Sequence, residues 1–248
     1  MTTASSAVHS EQKTKIVPRS SVILAFWDST IGKKVVMAAT GLALVGFVVA
    51  HMAGNLKIFM GETAFNHYAE GLRTVGAPFF GHGQALWAAR IALLVAVGLH
   101  IVAATQLARR SWAARPERYA VKESLTTSYA ARTMRWSGVI IVAFVVYHLL
   151  HFTFGTVGLP AGVAFSQENV FRNVVAGFSL WYVSAFYVVA QLLLGMHLFH
   201  GVWSMFQTVG VTNDAADRMW RTIAILVTLV VVLGNISIPL AVLAGAVK

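Results

Sequence analysis

Five apolar segments, each long enough to cross a lipid bilayer, restrict what this chain can fold into. They occupy residues 34–54, 84–108, 134–155, 180–208 and 219–245. About 20 apolar residues span the hydrocarbon core as an α-helix, which satisfies its backbone hydrogen bonds internally. The sequence therefore predicts an all-α, polytopic membrane protein with five transmembrane helices in one bundle. Pro239 is expected to kink the last helix or to mark its outer turn.

The composition agrees with a membrane location. Of the 248 residues, 57% are hydrophobic and 11% are charged, whereas soluble domains have about one quarter charged residues. Cysteine is absent, which excludes disulfides, thiolate-held iron–sulfur clusters and haem attached through a Cys-x-x-Cys-His motif. A metal bound to this chain would need mainly histidine, methionine or oxygen ligands.

The N-terminal residues 1–20 are polar and contain no apolar core of a signal peptide. They are predicted to form a disordered or peripheral tail. Residues 21–248 show no internal repeat and no low-complexity linker, so they are predicted to form a single domain.

Lysine and arginine predict the orientation, because they concentrate on the cytoplasmic side of membrane proteins. With the N-terminus inside, fourteen of the 19 basic residues lie on the inner side. The other five are Lys57, Arg73, Arg90, Arg172 and Lys248. This bias predicts a multi-pass protein of the cell inner (plasma) membrane with a cytoplasmic N-terminus. Topology thereby explains much of the net charge of +10 without a nucleic acid partner.

The inner loop 109–135 is basic and carries interleaved aromatic residues. One interpretation is contact with anionic membrane lipid, and another is a docking face for a cytoplasmic partner subunit. The two uses are compatible.

Six of the nine histidines lie in the apolar segments or at their ends: His51, His100, His148, His151, His197 and His200. A polar side chain inside a membrane costs free energy unless it finds a partner, and it usually marks a function. A single intramembrane histidine is more often a hydrogen-bonded interior residue than a ligand. Six of them on four helices favour a shared function.

The depths of these histidines suggest two pairs. At about 1.5 Å per residue, His51 and His148 lie about 25 and 20 Å from the inner ends of their helices. His100 lies about 14 Å from its inner end, and His197 is placed at middle to inner depth. Two imidazoles at one depth on facing helices can ligate one haem iron. The sequence therefore predicts two stacked haems, which would form an electron path between the leaflets.

Several stretches resemble one family in order and spacing over roughly residues 21 to 213. They are SSVILAFWDSTIGKKVVMAATGLALVGFVVAHMAGNL, AFNHYAEGLR, GLHIVAATQLARR, RWSGVIIVAFVVYHLLHF and HLFHGVWSMFQTVGVT. The chain resembles the cytochrome b membrane anchor of succinate:quinone oxidoreductases (succinate dehydrogenase and fumarate reductase), of the five-helix, two-haem type. The Gly-Lys-Lys and His-x-x-x-Asn motifs at the two ends of the first segment, with His-x-x-His-Gly-x-Trp-Ser in the fourth, carry this resemblance.

The resemblance implies that His51 and His148 ligate an outer haem b, and that His100 and His197 ligate an inner haem b. A flavoprotein subunit and an iron–sulfur subunit would dock on the cytoplasmic side. Electrons from succinate would pass through both haems to a quinone, with menaquinone the expected one. The chain would be the electron-transfer and quinone-reducing part of the enzyme, and the dicarboxylate site would lie in another subunit.

Cations at the ends of the segments are candidate partners for the haem propionates. They are Lys57 and Arg73 on the outer side, and Arg109, Arg132 and Arg135 on the inner side. The alternative is that they only anchor the helices at the interface.

A quinone site needs hydrogen-bond donors and a route for protons. The outer candidates are Glu62, His67, Tyr68 and Glu70. The same residues could form an amphipathic cap without chemistry. Trp27, Asp28 and Ser29 could instead frame an inner quinone site.

Two other functions remain open. A haem b anchor of another quinone-linked oxidoreductase would also carry histidines on membrane helices. A transporter or proton channel could use intramembrane histidines as relays, and it would be colourless.

Overall fold

The computed structural model describes residues 19–114, 129–208, 210 and 213–248, with side chains from Ser21 onward and, after the first gap, from Met134 onward. Most of the predicted tail and most of the basic inner loop lie outside these residues. Within them every regular element is helical.

The five predicted spans are confirmed as five helices that are long and apolar enough to cross a membrane. They are α2 (Thr30–Asn55), α4 (Gln84–Ala113), α5 (Tyr129–Phe152), α7 (Trp181–Thr208) and α8 (Asp214–Leu243). Several of their boundaries differ from the predicted ones, and two of these differences have a local cause. Helix α5 ends three residues early because the chain turns at Gly155, which has a φ of +66°. Helix α8 begins five residues early because the Asn213 side chain caps it, accepting a hydrogen bond from Ala216 N at 2.8 Å. Pro239 lies inside α8, which continues to Leu243.

Three shorter helices accompany the spans: α1 (Arg19–Asp28), α3 (Glu62–Thr74) and α6 (Val170–Ser179). Helix α1 begins two residues before the predicted domain boundary. A 3₁₀ turn over Leu56–Met60 links α2 to α3. Asn169 caps the start of α6, because its side chain accepts a hydrogen bond from Arg172 N at 2.9 Å.

The arrangement of the spans follows from which helices pack together. Helix α2 packs against α4, α7 and α8, and α7 packs against α5 and α8. Within the described residues, α4 and α5 make no extensive helix–helix packing. The first four spans therefore follow the order α4, α2, α7, α5 around the bundle, so that α2 lies diagonally across from α5 and α4 from α7. The bundle is open between α4 and α5, and we call this opening the seam.

The two ends of the bundle differ in charge. We call the end at which α2, α5 and α8 begin the basic end, because Lys34, Arg109, Arg110 and Arg135 lie there. At the opposite end, α3 and α6 form a cap over the helices.

Side-chain amides hold this cap together. Asn66 donates to Asn169 Oδ1 at 3.1 Å and accepts from Phe171 N at 2.9 Å. Asn169 also donates to Glu62 Oε1 at 2.6 Å. These bonds connect α3 to the start of α6.

Close packing between α7 and α8 leads to a first prediction about Gly195. A Cβ at this glycine would lie 2.7 Å from Val232 Cγ2, so we expect Gly195→Ala to lower the free energy of unfolding by about 1 kcal/mol, since overpacking outweighs the better helix propensity of alanine. The matched control is Gly98→Ala on α4, where a Cβ would meet nothing within 4 Å. Gly98 is two residues from His100 and so faces roughly away from it.

We expect the Gly98→Ala control to leave the free energy of unfolding unchanged or to raise it slightly. Unfolding in detergent measures both variants, and equal stability of the two would contradict this packing.

Candidate functional site

Two pairs of histidines face each other inside the bundle. The ring centroids of His51 on α2 and His148 on α5 lie 5.8 Å apart, with an interplanar angle of 89°. Those of His100 on α4 and His197 on α7 lie 6.4 Å apart, at 61°. Each pair joins two helices that are diagonal in the bundle. These are the same two pairs that depth alone predicted.

The pairs lie at different levels of the bundle. His100 contacts Thr40 on α2, and Thr40 precedes His51 on the same helix by eleven residues. At about 1.5 Å per residue, the two levels are therefore about 16 Å apart. The pair His100–His197, which we call the lower pair, lies toward the basic end, and the pair His51–His148, the upper pair, lies toward the opposite end.

The spacing of each pair suits two ligands on one metal ion. A metal–imidazole bond is about 2 Å long, and the ring centre lies roughly 1 Å beyond the nitrogen, so two imidazoles on one metal have centroids about 6 Å apart. The described residues contain no group of three or more histidine, aspartate or glutamate side chains that could hold a metal. A zinc ion needs about four ligands. Two facing imidazoles can also serve as the two protein ligands of a haem iron, whose other ligands are in its macrocycle.

Polar neighbours on other helices orient the histidines of the lower pair. His100 Nδ1 lies 3.2 Å from both Met37 O and Thr40 Oγ1 on α2. His197 Nδ1 lies 3.4 Å from Ser137 Oγ on α5. An Nδ1 that donates to such a partner leaves Nε2 as the ring nitrogen with a lone pair. The Met37 carbonyl can only accept, so it favours this tautomer for His100, and the Ser137 hydroxyl is compatible with the same tautomer for His197.

Space remains around the rings. His51 is exposed and the other three paired histidines are half-buried. Only 6% of the apolar stretch of α4 and 11% of that of α2 are buried by the rest of the chain. A Cβ at Gly41 would lie 3.4 Å from His100 Cε1, and one at Gly138 would lie 3.7 Å from His197 Cε1. Glycines here keep the ring edges clear, so that a flat group has room beside them.

His151 has different surroundings from its neighbour His148. Its side chain is fully buried and stacks on Phe152 with ring centroids 3.8 Å apart. Its Nδ1 lies 3.0 Å from Tyr187 Oη, and a Cβ at Gly177 would collide with its ring. The ring is enclosed by protein on all these sides and faces no second histidine. His151 therefore offers no room for a macrocycle.

His200 also has no histidine opposite it. Its ring meets Trp203 edge to face at 6.5 Å, and its backbone carbonyl accepts a hydrogen bond from Ser204. It lies one turn closer to the basic end than His197.

Two clefts open at the basic end. One, of about 410 Å³, is lined by Ala108, Ser111, Trp112 and Arg135. The guanidinium of Arg135 lies 4.9 Å from the centre of the Trp112 ring. Arg109 is exposed at the end of α4, and the side chain of Arg132 lies outside the described residues.

The second cleft, of about 490 Å³, lies among α2, α4 and the end of α7. Its lining includes Lys34, Arg110 and Met37, and Met37 also contacts His100 through its carbonyl. This cleft therefore places a cation directly on the basic side of the lower histidine pair. Sequence reasoning did not single out Lys34 as a partner for an anion.

The two predicted cations at the opposite end differ in their surroundings. Lys57 Nζ lies 5.4 Å from the centre of the Tyr68 ring. Arg73 instead bonds to Glu70 at 3.1 Å and to Gln167 O at 2.7 Å. The guanidinium of Arg73 is thus already hydrogen-bonded to protein groups, so Lys57 is the better placed of the two to bind an anion.

The four predicted outer quinone residues do not converge on one pocket among the described residues. Glu62 bonds to Asn169, and His67 is exposed. The hydroxyl of Tyr68 packs against Gly54, one turn beyond His51 on α2. Consecutive residues of a helix point in different directions, and this explains why neighbours in sequence separate in space.

Glu70, the fourth of these residues, belongs to a surface cluster. His82 Nε2 lies 2.9 Å from its carboxylate, and Arg73 lies 3.1 Å from it. The hydrogen bond with His82, followed by that from Arg73, holds the pKa of the Glu70 carboxyl below its ordinary value.

The alternative inner quinone residues instead hold α1 in place. Trp27 O accepts a hydrogen bond from Lys33 Nζ at 2.5 Å, and Asp28 O accepts one from Arg110 at 2.7 Å. Ser29 Oγ caps the start of α2. These contacts fix the junction between α1 and α2.

Comparison of the chain with protein-family models, with curated proteins and with solved structures found no match.

Proposed function

We propose that this chain is the di-haem cytochrome b membrane anchor of a succinate:quinone oxidoreductase. The observation that carries the proposal is the presence of two opposed histidine pairs at two levels of one membrane bundle. The motifs that resemble this family include all four paired histidines in the expected order.

In this proposal His51 and His148 bind one haem b, and His100 and His197 bind the other. Each bound haem supplies reversible one-electron redox chemistry. The chain itself supplies the imidazoles, the polar groups that hold their tautomers, and the apolar surroundings. The haems are of the b type because the chain has no cysteine for covalent attachment.

Cations at the two ends of the bundle serve the propionates. At the basic end Lys34 and Arg135 line clefts, and Arg109 and Arg132 belong to the same end. At the opposite end Lys57 takes this role, whereas Arg73 is already paired with protein groups. Such cations stabilise carboxylates where the hydrocarbon core meets the interface.

The distribution of basic residues supports a cytoplasmic basic end in the cell inner membrane. A flavoprotein subunit and an iron–sulfur subunit dock there, and anionic lipid contacts the same surface. Electrons then pass from the lower haem to the upper haem and on to quinone, which we propose to be menaquinone. Of the predicted quinone residues, Tyr68 lies one turn beyond His51, so it is the one we place beside the upper haem.

The proposal predicts a red protein with two haems per chain. Pyridine haemochrome analysis of the purified protein should give a ratio of haem to polypeptide close to two. In membranes that contain the whole complex, succinate should reduce these haems, as a reduced-minus-oxidised spectrum would record.

Each alternative predicts a different result. A colourless protein would favour the histidine-relay transporter. Haems that are reduced by another donor, such as formate or hydrogen, but not by succinate would favour an anchor of another quinone-linked oxidoreductase. A ratio near one would mean that one histidine pair is structural.

A further inference from the structure

The hydroxyl of Tyr187 lies between two histidines of α5. Its Oη is 3.4 Å from His148 Nδ1 and 3.0 Å from His151 Nδ1. Tyr187 is 5% exposed, and His151 is 0% exposed. Among the described residues these two imidazoles are the only hydrogen-bond partners of the hydroxyl. A phenolic oxygen buried among aromatic rings is costly without partners, and the two imidazoles supply those partners.

When His148 Nε2 binds a metal, one placement of the hydrogens satisfies both contacts of the Tyr187 hydroxyl. His148 Nδ1 then carries a hydrogen and donates it to Tyr187 Oη. The Tyr187 O–H in turn donates to His151 Nδ1, which accepts. The proton of His151 then sits on Nε2, beside Gly158 and Gly177, where no described group accepts it in a hydrogen bond. All three groups therefore point their hydrogens away from the metal side.

We propose that Tyr187 is a positioning residue for His148, and that His151 is the acceptor that fixes the direction of the Tyr187 hydroxyl. A hydrogen bond from Nδ1–H makes an imidazole a stronger donor to its metal and fixes the plane of the ring. Stronger donation favours ferric over ferrous iron. Tyr187 thus lowers the midpoint potential of the haem held by His51 and His148. This inference rests on the proposed function and assigns a role to a residue that the histidine motifs do not include.

The test replaces only the hydroxyl. Tyr187→Phe keeps a ring that packs edge to face against Phe144 and Phe178, so the fold is retained. The variant should still bind two haems, and the midpoint potential of one of them should rise. We expect a loss of about tenfold in the preference for ferric iron, the lower end of the roughly 10- to 100-fold effect that outer-shell changes have on metal affinity or activity. A tenfold change corresponds to about 59 mV for a one-electron couple.

The chain offers a matched control in Tyr147, which belongs to the same aromatic cluster. Its ring centroid lies 5.8 Å from that of His151 and 4.8 Å from that of Phe186. No hydrogen bond joins its hydroxyl to another described side chain. Tyr147→Phe removes a hydroxyl from the same region, and it should leave both potentials unchanged.

A second variant tests the direction of the hydrogen bonds from His148 through Tyr187 to His151. His151→Leu removes the acceptor from a buried site and should raise the potential of the same haem by less than Tyr187→Phe does, because Tyr187 can still accept from His148. Each variant is also made in the His197→Ala background, where a single haem remains to be titrated. This background identifies which haem responds.

The outcomes separate the two proposals. A wild-type protein without haem overturns the proposed function. Two haems with unchanged potentials in Tyr187→Phe overturn the role of Tyr187 and leave the function intact. Equal shifts of both haems, or an equal shift in Tyr147→Phe, also overturn it, because a general change in the cluster would then explain the result.

Discussion

Replacing His148 by alanine is expected, on the proposed function, to leave the purified protein with one haem instead of two. His148 faces His51 at 5.8 Å, and an iron that loses one of its two axial imidazoles is held far more weakly. His151→Ala is the matched control on the same helix. It should retain both haems, because the His151 ring is fully buried and faces Tyr187 and Phe152 rather than the seam.

His197 and His200, which lie three residues apart on α7, allow the same comparison for the lower pair. His197→Ala should lose one haem, whereas His200→Ala should keep both, because among the described histidines His100 faces His197 and none faces His200. Haem content and redox titration of the purified variants measure all four changes. Retention of both haems in His148→Ala, with a loss in His151→Ala, would reverse the assignment.

Combined substitutions should show that the histidines act as two independent pairs. His51→Ala with His148→Ala removes both proposed ligands of one haem, so the double variant should still contain one haem, as each single variant should. His51→Ala with His100→Ala removes one ligand from each pair and should contain no haem. Residues that share a function are non-additive, and distant ones add.

The ratio of haem to polypeptide in the two double variants decides this prediction. The double variants carry the same number of substitutions, so a general loss of stability would affect them alike. Equal haem content in the two would therefore show that the pairs are not separate sites.

The five spans were predictable because apolar length alone is enough to identify a membrane helix. Their ends were less predictable, since these depend on local contacts such as the cap that Asn213 provides. Helix α6 was missed altogether. It is short, and it is held by Asn66 and Asn169, which lie more than one hundred residues apart in the chain.

The pairing of the histidines was predictable from depth, because the rise of an α-helix is fixed. The groups that orient them were not. Whether Tyr187 or Ser137 points at a histidine depends on the order of the helices around the bundle and on how each is rotated, and spacing along one helix contains neither. The outer quinone residues failed to converge for the same reason, since closeness in sequence along α3 does not place side chains on one face.

The proposed haems would have a mechanical role beside the seam between α4 and α5. One histidine pair faces across the bundle between α5 and α2, and the other between α4 and α7. A haem iron bonded to both imidazoles of a pair would therefore connect one of the two helices that border the seam to the helix diagonally opposite. A ligand that binds only this arrangement of helices stabilises it by mass action. In the proposed di-haem protein, haem binding and the stability of the helix bundle would thus be one coupled equilibrium.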